Sequence, residues 1–120
     1  MVYFNNKVIQ PKSTQGPKFK KGQIVMHSRY RYREVIIDYD LLCKASDAWY
    51  KKNNTQPDKN QPWYHVLVDN SNQSTYAAES SLMDSDNKDK IIHPLIKLFF
   101  VEYDEGQYIR NSQVWSSEEI

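Results

Sequence analysis

The most constraining feature of this chain is the run Tyr32–Tyr39, in which Val35, Ile36 and Ile37 follow one another without a polar break. β-Branched and aromatic residues at this density predict a strand. Successive side chains of a strand point to opposite faces, so consecutive apolar residues need cover on both sides. A closed or covered barrel supplies that cover better than an open sheet with one wet face.

The flanking sequence supports the same architecture. Trp63–Asp69 is the clearest strand, Asp69-Asn70-Ser71-Asn72 reads as a hairpin turn, and Gln73–Ala78 returns as its partner. Phe19-Lys20-Lys21-Gly22 reads as a turn into a strand over Gln23–His27. Leu41, Leu42, Ala45, Ala48 and Trp49 recur at helical spacing, predicting a short helix over Leu41–Asn53. Asp38 and Asp40 could form a carboxylate pair on one strand face, but cap residues at the start of that helix are the preferred reading. Residues 53–61 form a polar loop and Ser80–Asp89 is turn-rich. Pro94–Phe100 predicts a second short helix and Gln107–Arg110 a last strand.

The expected fold is therefore mostly β: a small antiparallel β-barrel with one or two short helical insertions over residues 18–111. It lies between a flexible N-terminal tail, 1–17, and an acidic C-terminal tail, 112–120. Nine Tyr, four Phe and three Trp in 120 residues supply the core, since each ring buries roughly 150–250 Å².

Searches for chemistry are negative. Gly16, Gly22 and Gly106 are the only glycines, too few for a phosphate-cradling loop, and no nucleophile-elbow motif occurs. Cys43 is the single cysteine, which excludes a disulfide framework within the chain, fits a reducing compartment and reads as a small buried hydrophobe. His27, His65 and His93 are far apart and are each expected to hydrogen-bond locally. The expectation is a non-catalytic cytoplasmic protein with no metal, no cofactor, no secretory leader and no membrane span.

Charge is the positive signal. Residues 1–33 carry Lys7, Lys12, Lys18, Lys20, Lys21, Arg29, Arg31 and Arg33 and no acid, while all fifteen acids lie from Glu34 onward. The asymmetry suits either an anionic partner or a solvated basic arm. In Ser28-Arg29-Tyr30-Arg31-Tyr32-Arg33, an extended backbone would place the three Arg on one side at intervals of roughly 6.6 Å, matching a run of phosphates. The Tyr rings could then stack on an unpaired base, or pack inward. A bend within 28–32 would spoil the alternation. The candidate nucleic-acid-binding residues are Lys18, Lys20, Lys21, Arg29, Arg31 and Arg33.

Several segments together resemble the YccV-like, or HspQ-like, family. They are Phe19, Gly22-Gln23-Ile24-Val25, His27 and Tyr30-Arg31-Tyr32-Arg33 with Val35-Ile36; Gln61-Pro62-Trp63-Tyr64-His65-Val66-Leu67-Val68-Asp69; Thr75-Tyr76-Ala77-Ala78-Glu79 with Leu82; and His93-Pro94 through Phe99-Phe100, then Tyr108-Ile109-Arg110-Asn111. The resemblance runs from about Lys18 to Asn111. It implies a Src-homology-3-like barrel and binding of hemimethylated DNA. It also implies an alternative, a heat-stress protein-interaction module that modulates an ATP-dependent cytosolic protease. The family commonly has Gly before Val35, where this chain has Glu34. That departure implies an altered bend at this position and an acid beside Arg31 and Arg33 that weakens phosphate contact there.

Overall fold

The computed structural model describes residues 16–115. Its main sheet contains β1 (Ile24–His27), β2 (Arg33–Asp40), β3 (Trp63–Val68), β4 (Ser74–Ala78) and β5 (Leu82–Asp84), all antiparallel, in the order β4-β3-β2-β1-β5. A short helix α1 (Asp47–Lys51) lies between β2 and β3. A second, α2 (Ile96–Phe99), precedes the hairpin of β6 (Phe100–Asp104) and β7 (Gln107–Arg110).

One connection forces this sheet to curl. β4 and β5 stand on opposite edges, which in a flat five-stranded sheet would be four spacings, roughly 19 Å, apart. Only the 3-10 turn Glu79–Ser81 joins them, and at about 2.0 Å rise per residue it carries the chain about 8 Å from Ala78 to Leu82. The edges must therefore approach each other, giving the barrel-like form expected from sequence.

Curling creates an inside and an outside, and β2 and β3 are buried on both. Phe19, Val25, Ile36, Tyr64, Val66, Ala77 and Leu82 pack together inside. Outside, Ile24, Val35, Ile37 and Leu67 are covered by Ile91, Phe99, Phe100, Tyr108 and Trp115. Trp115 falls in the stretch expected to be the acidic C-terminal tail, yet it is buried against Phe99 and His65. The remaining parts of both expected tails, residues 1–15 and 116–120, lie outside the described residues.

The first helix is shorter than expected. It covers Asp47–Lys51, and its N-cap is Ser46, whose Oγ accepts from the Trp49 N–H at 3.1 Å. Asp38 and Asp40 are not caps but belong to β2. Of the residues that gave the helical spacing, Ala45 and Trp49 pack on the Trp63 and Tyr76 cluster without forming one continuous helical face, while Leu41, Leu42 and Ala48 are exposed. Strands β5 and β6 went unpredicted: β5 has one buried residue in three, and β6 is largely exposed.

The hairpin β6–β7 docks at Gly22, where the backbone has φ +85°. The Gly22 N–H donates to the Ile36 carbonyl at 2.7 Å, and its own carbonyl accepts from the Tyr108 N–H at 3.0 Å. A Cβ at this position would stand 1.9 Å from the Tyr108 carbonyl oxygen. Gly22→Ala is expected to lower stability by more than about 2 kcal/mol in thermal or urea unfolding. Gly16→Ala, also at positive φ but in open space, should cost only about 1 kcal/mol.

Candidate nucleic-acid interface

The candidate cations sit on two turns at the two ends of β1. The first is the turn Lys20–Gly22, closed by the Gln23 N–H donating to the Lys20 carbonyl at 3.1 Å. Lys18, Lys20 and Lys21 are exposed there and line a shallow groove with Phe19 and Tyr39. The Lys18 and Lys21 ammonium groups lie 5.5 and 5.7 Å from the Phe19 and Tyr39 ring centroids. Lys21 also meets Asp38 at 3.5 Å.

The second turn, between β1 and β2, overturns the extended geometry expected for Ser28–Arg33. The Arg31 N–H donates to the His27 carbonyl at 2.8 Å, and the His27 N–H donates to the Tyr32 carbonyl at 2.9 Å. Arg31 takes φ +67°. His27 Nδ1 accepts from the backbone N–H groups of Arg29 and Tyr30, each at 3.2 Å. Burial, assisted by the Arg29 charge, holds its pKa below the ordinary imidazole value and so favours the neutral ring that can accept. Tyr30 stacks on His27 with centroids 4.6 Å apart and stays half exposed. Arg29 and Arg31 are exposed, and one Arg31 nitrogen lies 3.7 Å from the Met83 sulfur.

Arg33 has a different position from its two neighbours. Its side chain is 13% exposed and pairs with Asp69 at 3.0 Å. It also donates to the carbonyls of Asn87, Asp89 and Lys90 at 3.2, 2.7 and 3.3 Å. The other Asp69 oxygen accepts from the Ile92 N–H at 2.7 Å. This guanidinium fastens the 85–92 loop to the barrel. The structure thus gathers Lys18, Lys20 and Lys21 on one turn and Arg29 and Arg31 on the other, and it turns Arg33 inward. Four residue steps of β1 separate the turns by roughly 14 Å, about four nucleotides along one strand.

Glu34 does not occupy a bend; the positive-φ residue of this turn is Arg31. Glu34 lies in β2 opposite Val25 and Val68, fully buried, and neither carboxyl oxygen has a hydrogen-bond partner among the described residues. Desolvation pushes its pKa up to about 8, so at neutral pH it is mainly the uncharged acid. It therefore leaves the cationic turn unopposed, contrary to the weakening expected from sequence.

The structure also joins residues that sequence reasoning kept apart. Asp38, Asp40, Trp49, His65 and Trp115 line one cavity. The alternations Asp38-x-Asp40 and Trp63-x-His65 were the available signal, and the cap reading of the aspartates obscured it. His65 does not hydrogen-bond locally as expected: its Nε2 meets the Asp40 carboxylate on the neighbouring strand, and its ring packs on Tyr76. Among the described residues no cluster of His, Cys, Asp or Glu is arranged to hold a metal ion, and no helix is long and apolar enough to cross a membrane.

Comparison with known proteins gives a consistent picture. A family model described as "Hemimethylated DNA-binding protein YccV like" matches residues 17–107. Curated relatives include F-box only protein 21 of Homo sapiens and of Pongo abelii, each 31% identical over 96 residues, and that of Mus musculus, 30% identical over 96 residues. Each match covers 78% of this chain and 15% of the relative.

The raised pKa of Glu34 predicts a pH dependence of stability. Its folded value lies above the ordinary carboxyl value of 4.5, so the contribution is fully present below about pH 4.5 and is lost as pH rises through about 8. Over that window stability should fall by up to about 1.4 kcal/mol per pH unit. Thermal unfolding from pH 5 to pH 9 should show this decline, and Glu34→Gln should flatten it. An unchanged slope in the variant would mean that another group carries the effect.

Proposed function

The chain belongs to the YccV-like family, described as hemimethylated DNA-binding, and from that premise we propose that it is a non-catalytic cytoplasmic domain that grips the DNA backbone. The grip uses the two turns flanking β1. Lys18, Lys20 and Lys21 form one contact group and Arg29 and Arg31 the other, while Arg33 is committed to fastening the 85–92 loop. The observation that carries this reading is the presentation of five exposed cations on those two turns by a segment free of acids. Ammonium and guanidinium groups on backbone turns supply position and affinity. Tyr30, half exposed beside Arg29 and Arg31, is the group available for contact with a base. Discrimination of hemimethylated from unmethylated duplex is proposed to arise in this second turn, the place where an aromatic ring accompanies the cations.

A second reading, a protein-interaction module that modulates a cytosolic protease under heat stress, draws on the family resemblance. It is also favoured by relatives in which the matched segment is a minor share of a much longer chain. The two readings differ in their response to salt and to methylation.

Binding to hemimethylated, fully methylated and unmethylated duplexes of one sequence should be measured at 50 and 200 mM salt. Four or five phosphate contacts predict a log–log slope of about −4 and a loss of about 250-fold between those concentrations. Lys20→Ala, Lys21→Ala, Arg29→Ala and Arg31→Ala should each reduce the slope by about 1 with the fold intact. A flat salt response would remove the DNA reading, and equal affinity for all three duplexes would remove the methylation reading.

Arg33→Ala should act through the fold instead. It leaves Asp69 without its cation and three carbonyls without their donor. Unfolding in urea should show a stability loss of about 2–4 kcal/mol. DNA affinity should recover when it is expressed per folded molecule.

A further inference from the structure

On the outer face of the barrel, away from the β1–β2 turn, lies a cavity of about 600 Å³ lined by Asp38, Asp40, Lys44, Ser46, Trp49, His65 and Trp115. That volume lies within the range of small-ligand sites and exceeds a single side chain. A backbone irregularity builds it. The register of β2 on β3 shifts between Ile36, opposite Val66, and Asp38, opposite His65, so Ile37 is an extra residue. Ile36 and Tyr39 pack on the inner core while Ile37 packs on the outer one. Asp38 and Asp40 consequently share the outer face with His65, which a regular strand would not allow.

The lining is incompletely satisfied. Asp40 Oδ2 is held by the Tyr76 hydroxyl at 2.6 Å and by His65 Nε2 at 3.3 Å. Burial lowers the His65 pKa, outweighing the opposing effect of Asp40, so its ring is neutral at pH 7. Every hydrogen-bond partner of the Asp40 carboxylate among the described residues is therefore uncharged, although its side chain is only 24% exposed. With Nε2–H donating to Asp40, Nδ1 of His65 is a bare acceptor. Among the described residues it has no hydrogen-bond partner, and neither does the indole N–H of Trp115, both atoms being closed off from solvent. The cavity thus offers a carboxylate with no ion-pair partner of fixed charge, a second carboxylate shared with Lys21 and two indole walls, with Lys44 the one lysine in its lining.

We propose that this cavity receives a cationic peptide side chain, arginine or lysine. The cation supplies donors to the partly exposed Asp40 carboxylate and packs on the Trp49 and Trp115 rings. Aromatic faces attract cations, and a partly buried carboxylate with neutral neighbours is the counter-ion that such a cation lacks in water. A phosphate-bearing ligand fits less well, because two carboxylates face it against the single lysine of the lining, Lys44. The inference is independent of DNA binding, which uses the two β1 turns, and each can fail without the other.

The test uses the full chain labelled with ¹⁵N and three capped tripeptides, acetyl-Gly-X-Gly-amide, where X is arginine, lysine or citrulline. Citrulline has the shape of arginine without its charge. Titration with the arginine or lysine peptide should move the indole N–H resonances of Trp115 and Trp49, and citrulline should leave them in place. Asp40→Asn, which keeps an acceptor for Tyr76, should weaken binding at least about tenfold. Should that variant fail to fold, Trp115→Leu at the end of the described chain provides the second case, with the same loss expected. Equal binding of citrulline, no shift of either indole at millimolar peptide, or the same shifts produced by a deoxynucleotide would each overturn the proposal.

Discussion

The short link between β4 and β5 is the constraint on which the rest of this structure depends. Three residues cannot connect the two edges of a flat five-stranded sheet, so the sheet curls. Curling gives the central strands β2 and β3 an inner face, while their outer face still carries Val35, Ile37 and Leu67. That apolar outer face requires a second layer, which α2, the β6–β7 hairpin and Trp115 provide. The layer is held by directed bonds as well as by burial. Arg33 ties the loop before α2 to the end of β2. Arg110 donates to the carbonyls of Ile37, Phe99 and Gln113 at 2.8, 3.0 and 2.8 Å. A guanidinium with five fixed donors suits this task, because it can hold several backbone carbonyls from separate segments at once. Two arginines of a chain whose arginines suggest DNA contact are thus committed to its interior architecture.

The bulge at Ile37 is the second determinant, and it answers for polarity where the curl answers for shape. Alternation from Glu34 and Ile36 would send Asp38 and Asp40 into the barrel interior, where unpaired carboxylates are costly. One inserted residue redirects both to the outer face. Arg110 takes the carbonyl of the inserted residue and so removes the penalty that a bulge normally carries for an unpaired ladder group. Glu34, on the near side of the bulge, has no such escape. It remains inside with no hydrogen-bond partner among the described residues and is held there mainly in its protonated form.

How much of this the sequence could disclose depended on range. β1, β2, β3, the β3–β4 hairpin and β7 were legible because their signals are local: β-branched runs, alternation, a four-residue turn. The two-sided burial of β2 followed from three consecutive apolar residues. β5 and β6 were not legible, since β5 is three residues long and exists only through its pairing with the distant β1. The helix was overextended because apolar residues packed on Trp63 and Tyr76 mimic an amphipathic spacing without being helical. For the candidate interface, the presence of the cations was evident and their direction was not. A positive φ at Arg31, a residue without the usual preference for it, bends the segment and sorts three similar arginines into two exposed groups and one structural one. The bulge that unites Asp38, Asp40 and His65 leaves no mark in the local sequence, because it is fixed by register against another strand.

The barrel leaves two surfaces of opposite character close together, and one ion pair joins them. Lys21 belongs to the first basic turn and Asp38 to the outer cavity, with 3.5 Å between their charges. A phosphate that drew Lys21 away would leave Asp38 without its cation and so strengthen the cavity's attraction for a positive group. The size of that coupling is limited by exposure: the lysine side chain is 45% exposed and the aspartate 32%, and such surface pairs are worth about 0–1 kcal/mol. That is at most about a fivefold change in affinity. Lys18, Lys20, Arg29 and Arg31 have no salt bridge to the cavity, and the neutral Glu34 transmits no charge between the inside and either surface. The basic turns and the aromatic cavity therefore act as two nearly separate electrostatic sites on one rigid barrel, and a ligand on one leaves the other free to bind.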